Sequence, residues 1–231
     1  MVLILYCHMC INEQSQMESN PVKVLVFAAT KGGTGKSTLA YNVGVFASRT
    51  HQVLFADLDP QGSLTELWAR RGELINPRLV KNVQSVASAV TRLHEGGYAH
   101  DYLLVDTPGS HIPAIRDAIA AADVVLLPVQ ASALDVMGQD AAFDIVESTG
   151  MHDRALILLN RIDGRSKAFA DKIGRLLTVQ TRLPIVRIAQ RMAYAKAGTE
   201  AKTGAEIDKD CAAEIGNVWD AIRGVMIDDR R

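Results

Sequence analysis

Val24–Thr38, VLVFAATKGGTGKST, decides how the rest of the chain is read. An apolar run rich in β-branched residues gives way to a glycine-rich turn, and Gly35-Lys36-Ser37-Thr38 then opens a helical pattern. Strand, turn and helix start in that order build a phosphate-binding loop. Gly32, Gly33 and Gly35 let the backbone turn tightly and aim N–H groups inward, where a polyphosphate accepts from them. Lys36 supplies a point charge to the terminal phosphates, and the Ser37 hydroxyl is placed to ligate Mg²⁺. Thr34 and Thr38 complete the set expected around the nucleotide. The strict Walker A pattern places glycine where this chain has Thr30, so the match is to the variant KGGxGK[ST], headed by a second lysine, Lys31.

The composition is that of an ordinary globular chain. It has 231 residues, 48% apolar and 22% charged, enough for one well-buried core. Net charge is −1, so affinity for a polyanion requires a local concentration of cations. Three cysteines, Cys7, Cys10 and Cys211, make no disulfide framework. Neither a secretory signal nor an apolar membrane span is evident, and a cytoplasmic location is expected. Residues 1–20 read as a poorly ordered extension, with Met17 an alternative start and Cys7-His8-Met9-Cys10 lacking the partners that a metal or redox site needs. Residues 21–231 read as one P-loop domain.

From Pro21 onward short apolar runs alternate with helical patterns, which predicts an α/β fold: a doubly wound, mostly parallel sheet with helices on both faces. Strands are expected at 23–29, 52–57, 102–106, 124–129, 155–160 and 184–188. Helices are expected at 36–48, 64–71, 83–93, 112–121, 134–148, 167–177 and 206–226. The last carries Ile207, Cys211, Ile215, Val218, Trp219, Ile222 and Met226 at spacings of three and four, a core-facing stripe. Its acidic-flanked end, IRGVMIDDRR, argues against a membrane-binding helix.

Two acidic motifs end apolar strands. Ligands of open parallel sheets bind outside the strand carboxyl ends, so Asp57 and Asp59 of Ala56–Ser63, ADLDPQGS, are expected to face the terminal phosphate, the alternative being that they cap the turn before Pro60. Leu103–Gly109, LLVDTPG, has the form of a Walker B strand, in which Asp106 holds the metal. Asn160-Arg161-Ile162-Asp163 is close to a guanine-reading NKxD, and Asp163 could accept from guanine. His94, His100 and His111 show no ligand spacing and read as loop or surface residues.

Taken together, KGGTGKS, DLDPQGS, VDTPG and the Asn-Arg pair resemble the ParA/MinD family of deviant Walker A ATPases. Between Lys23 and about Asp220 the order and spacing are similar to small ParA-type partition proteins of the ParF kind, down to Pro128-Val129, Leu134-Asp135 and Ala189-Gln190-Arg191. The resemblance implies that Lys31 reaches across an ATP-dependent homodimer to the partner's phosphates. It also implies that Asp59 positions the attacking water with Asp57 in support, and that Asn160 and Arg161 sit at the adenine of ATP. Implied at the level of the cell are Mg²⁺-dependent hydrolysis, nonspecific DNA binding on the nucleoid, and stimulation by a centromere-binding partner of the ParB-like or ribbon-helix-helix type, with no membrane role. A small-molecule kinase or ligase would share the loop, and an ATPase positioning another cargo would share every motif. A reductase of the nitrogenase-iron-protein kind would need cysteines that this chain does not place.

Charge is unevenly distributed. Between Arg154 and Lys202 eleven basic residues stand against three acidic ones, in a chain that is −1 overall. Such a segment is suited to tracking a duplex backbone, and Arg187 and Arg191, after the last strand, are the DNA contacts expected first. The alternative is a solvated face whose cations pair with the acidic remainder.

Overall fold

A computed structural model describes residues 21–72, 76–95 and 100–228. The expected extension at residues 1–20, with its two cysteines, lies outside them. Seven strands form one sheet: β1 (Lys23–Phe27), β2 (Val53–Asp57), β3 (Arg78–Leu79), β4 (Tyr102–Asp106), β5 (Val124–Gln130), β6 (Ala155–Ile162) and β7 (Ile185–Ala189). Their order is β3-β2-β4-β1-β5-β6-β7, and every pairing is parallel. The central strands are apolar almost throughout because both faces are covered. Among the described residues ten α-helices accompany the sheet: α1 (Lys36–Ala47), α2 (Ser63–Arg70), α3 (Val86–Glu95), α4 (Ile112–Ala120), α5 (Ala133–Met137), α6 (Asp140–Ser148), α7 (Lys167–Thr181), α8 (Met192–Thr199), α9 (Gly204–Ile207) and α10 (Lys209–Asp228).

The core has two layers. One sheet face packs against α3 to α7 through Ile115, Ile119, Phe143, Ile173 and Leu177. The other packs against α1, α2 and α8 to α10 through Leu39, Trp68, Ile215, Trp219 and Ile222. The α1–sheet approach is close enough that a Cβ on Gly44 would lie 2.2 Å from the Phe55 ring, so this helix position admits only glycine. Register then sets the site. Phe27 pairs with Asp106, Asp57 with Asp106, Phe27 with Leu126, and Gln130 with Asn160. Strands β1, β2 and β4 therefore end at one level while β5 and β6 run on together past it, and the loops that leave all five share the carboxyl edge.

Several expected elements differ from those observed. The helix expected over 134–148 is two, α5 and α6, because Gln139 turns its side chain into the interior, accepting from Thr30 N at 3.1 Å and donating to Pro128 O at 3.4 Å. The helix expected over 206–226 begins earlier and breaks at Asp208, whose carboxylate accepts from the Asp210 and Cys211 N–H groups and restarts the chain as α10. Strand β3 is two residues long and α8 has little apolar periodicity, and neither was expected. Cys211 is fully buried in the α10 stripe as expected. Among the described residues no helix is long and apolar enough to cross a membrane.

An ion pair ties α2 to α9. Arg71 donates to both Glu206 oxygens at 2.6 and 2.7 Å, and Thr203 N donates to the same carboxylate at 2.7 Å in a capping box. Burial works against ionisation of Glu206, but the Arg71 and Thr203 hydrogen bonds outweigh it and hold its pKa down to about 2. A carboxylate depressed from about 4.5 contributes stability above that pH and loses it as pH falls toward 2. Glu206→Gln is accordingly expected to cost about 2 kcal/mol at pH 7. The difference from the parent should shrink below pH 4 in urea titrations, whereas a pH-independent difference would deny the linkage.

Candidate nucleotide-binding site

At the carboxyl edge, β1 leads into a loop whose Gly33 and Gly35 have φ of 78° and 99°. Gly35 is the N-cap of α1 and offers no side-chain cap, so the first N–H groups of this helix are open to an anion. A Cβ on Gly35 would also lie 2.5 Å from Asn160 Nδ2, which makes glycine obligatory twice over. The loop is held from outside by three side chains. Asn160 Nδ2 donates to Thr34 O at 3.0 Å, Gln130 Nε2 to Gly33 O at 2.8 Å, and Gln139 accepts from Thr30 N. Gln130 and Gln139 were not singled out in the sequence. Gln130 is an amide at the end of a buried strand, and Gln139 sits between two helices with no local signal.

The loop borders a cavity of about 740 Å³ lined by Gly32, Gly33, Gly35, Lys36, Ser37 and Thr38, with Asp59, Gly109 and Arg161 among the facing residues. Lys36 is 6% exposed, and its Nζ stands 3.5 Å from where a Gly109 Cβ would be. Thr34 is fully buried. Asp106 is fully buried too, and neither of its oxygens has a hydrogen-bond partner. Burial pushes its pKa up to about 7; the adjacent Ser37 side chain and Lys36 pull it down, while Asp57 and Asp59 add to the rise. Asp106 lies beneath the cavity rather than on its lining, and an orphaned carboxylate beside the Ser37 hydroxyl is a donor set that suits Mg²⁺.

The two switch carboxylates have different surroundings. Asp59 lines the cavity, its Oδ1 accepting from Gln61 N at 3.0 Å. Asp57 accepts from Asp59 N at 3.1 Å and Thr65 N at 2.8 Å and is not among the lining residues. Of the two, Asp59 is on the lining, and Asp57 shapes the turn that presents it. His111 lines the cavity as an exposed residue at the start of α4.

A second cavity of about 510 Å³ adjoins the first, sharing Gly35, Thr38, Arg161 and Ala195. Asn160, Asp163, Gln190, Arg191 and Tyr194 also line it. Asn160 is nearly buried, and its Oδ1 accepts from Arg161 N, so its amide is already engaged by the loop. Arg161 itself, at φ 54°, stands exposed where the two cavities meet. The Asp163 carboxylate is held by Arg165, whose N and Nε donate at 2.9 and 3.4 Å, and these bonds keep it below the usual carboxylate range.

Lys31 faces away from the first cavity. Its Nζ lies 2.5 Å from Asp135 Oδ1 at the start of α5. Burial opposes ionisation of Asp135, yet Lys31 and Ser132 outweigh it and keep its pKa low. The two arginines expected to contact DNA are both paired: Arg187 with Asp171, and Arg191 with Glu214 at 3.0 Å and Asp210 at 3.1 Å. Asp210 and Glu214 fall outside the basic segment in sequence, which is why its excess charge overstates what these two positions present.

Comparison with known proteins agrees with this geometry. Residues 25–203 match the family described as CobQ/CobB/MinD/ParA nucleotide binding domain. The chain is 32% identical over 166 residues to a maintenance of carboxysome distribution protein A from Gloeobacter kilaueensis, covering 67% of this chain and 70% of the relative. It is 31% identical over 178 residues to the chromosome-partitioning ATPase Soj of Thermus thermophilus, covering 63% and 72%. Among solved structures, an ATP complex of Cyanothece McdA superposes with a TM-score of 0.69 at 22% identity, over 88% of this chain and 97% of that one, a likeness of fold. Motifs, register and these matches agree that the chain belongs to the CobQ/CobB/MinD/ParA nucleotide-binding domain family, as a ParA/MinD-like member.

Proposed function

We propose that this chain is a Mg²⁺-dependent ATPase of the partition type, in which ATP closes a homodimer that binds DNA nonspecifically and a centromere-bound partner protein triggers hydrolysis and release. The observation that carries the chemistry is the juxtaposition, in one cavity, of buried Lys36, Ser37 at the open start of α1, and Asp59, with unpaired Asp106 buried next to Ser37. Lys36 and the loop N–H groups hold the β- and γ-phosphates. Ser37 and Asp106 would hold Mg²⁺, which supplies charge neutralisation between the phosphates. Asp59 orients the attacking water in line with the γ-phosphorus. Adenine rather than guanine is favoured because Arg165 already occupies the Asp163 carboxylate that guanine would need. Arg161 edges both cavities and is assigned to the nucleotide, with Asn160 setting the loop beneath it.

Arg187 and Arg191 are proposed for the DNA face, each exchanging its carboxylate partner for a phosphate in the dimer. A second reading, an ATPase that positions a protein cargo along DNA, draws on the 32% identity to a carboxysome distribution protein. The residues of the site are common to both.

Asp59→Ala tests the mechanism. The variant is expected to bind Mg-ATP within about twofold of the parent and to accumulate as a DNA-binding dimer, with hydrolysis reduced at least about a hundredfold. Phosphate release and sedimentation with Mg-ATP and duplex DNA read all three quantities. Undiminished phosphate release would remove Asp59 from the reaction, and loss of ATP binding would move it to the binding set.

A further inference from the structure

We propose that the outer face of α7 is a docking surface for an acidic amphipathic helix of a partner protein. This helix buries Ala170, Ile173, Gly174, Leu177 and Thr181 against the sheet, which satisfies its one core-facing stripe. On the opposite side Phe169, Lys172, Leu176 and Val179 recur at intervals of three, four and three, the a/d spacing by which one helix receives another. Phe169 is 48% exposed, Leu176 52% and Val179 80%. Single exposed apolar residues are ordinary, but three aligned on one seam of a fifteen-residue helix form a continuous face.

Charge identifies the occupant. Lys167, Lys172 and Arg175 are exposed on the same helix, with Asp171 in the field of Lys167 and Arg175. The one acid of α7, Asp171, is taken by Arg187. Lys172 occupies a seam position and Arg175 the flanking g position, so a facing helix is matched by Glu or Asp opposite them and by Leu-sized side chains between. A symmetric contact with a second copy would set Lys172 and Arg175 against their own kind. Duplex DNA would satisfy the cations but leave Phe169, Leu176 and Val179 facing phosphates, with no apolar surface buried. None of these side chains lines either cavity, so the surface is distinct from the nucleotide site.

The probe is a fluorescent synthetic three-heptad helix with Leu at a and d and Glu at e and g, whose own repulsion keeps it from self-pairing. Anisotropy titration of the full chain is expected to show saturable binding, weakened at least about tenfold by Leu176→Ser and by Val179→Ser, with ATP binding and melting temperature retained. The double variant Lys172→Glu/Arg175→Glu should lose the Glu helix and gain the otherwise identical Lys helix, a swap that a folding defect cannot produce. The proposal is overturned if the Glu helix fails to bind or binds all variants alike. It is equally overturned if Leu176→Ser instead abolishes binding to a short duplex, to phosphatidylglycerol vesicles or to a second copy of the chain.

Discussion

Lys36→Ala is expected to abolish ATP and ADP binding, with affinity falling at least about a hundredfold, or about 3 kcal/mol. The estimate follows from where the ammonium sits. At 6% exposure it lies in the interior beside Gly109 and the loop, so it is desolvated before any phosphate arrives, and its bonds to two phosphate groups would form with little water to screen them. The other cations around the cavity are placed differently: Arg161 lies at the rim, Arg70 is paired with Glu66, and Lys31 is bound to Asp135. Truncation also removes a buried stem, so apo stability should be checked by melting and is expected to change by no more than about 1–2 kcal/mol. Calorimetric titration with Mg-ATP and Mg-ADP gives the result. Residual affinity within tenfold of the parent would mean that the loop amides alone hold the nucleotide.

Why the loop was legible and its supports were not follows from how each is encoded. The glycines, Lys36 and Ser37 are local: backbone conformation and offset along the chain decide their roles, so a short stretch suffices. Asp106 stood out because an acid ending an apolar strand has few other uses, and in the fold both its oxygens are buried without a partner. The strands β1, β2, β4, β5 and β6 were each found within one or two residues of their ends, since a run buried on both faces is its own signal. Asn160, Gln130 and Gln139 instead act on the loop across the sheet, and their partners are backbone carbonyls and amides that carry no sequence signature. Asp57 was assigned by its neighbour Asp59; only the turn geometry separates a carboxylate that lines the cavity from one that accepts from Thr65 N. The charge count is incomplete for a related reason. A sum over a segment ignores Asp210 and Glu214, which the fold brings onto Arg191 from α10.

Lys31→Ala is expected to leave ADP binding intact and to remove ATP-dependent dimerisation, raising the dimer dissociation constant at least about a hundredfold. The two lysines of the loop are five residues apart and have opposite settings. Lys36 points into its own cavity, while Lys31 turns outward onto Asp135, with its side chain 39% exposed and absent from the cavity lining. A residue that does not touch its own nucleotide cannot be needed to bind ADP. If it serves ATP, the phosphates it reaches belong to a partner facing this edge of the sheet, and Asp135 is the contact it gives up on closing. Asp135→Ala separates the two steps: it frees the ammonium without removing it, and should leave dimerisation equal to or tighter than the parent's. Sedimentation of both variants with Mg-ATP and Mg-ADP decides between outcomes. Dimers formed by Lys31→Ala as readily as by the parent would place Lys31 outside the interface and leave its pair with Asp135 as a structural tie between the loop and α5.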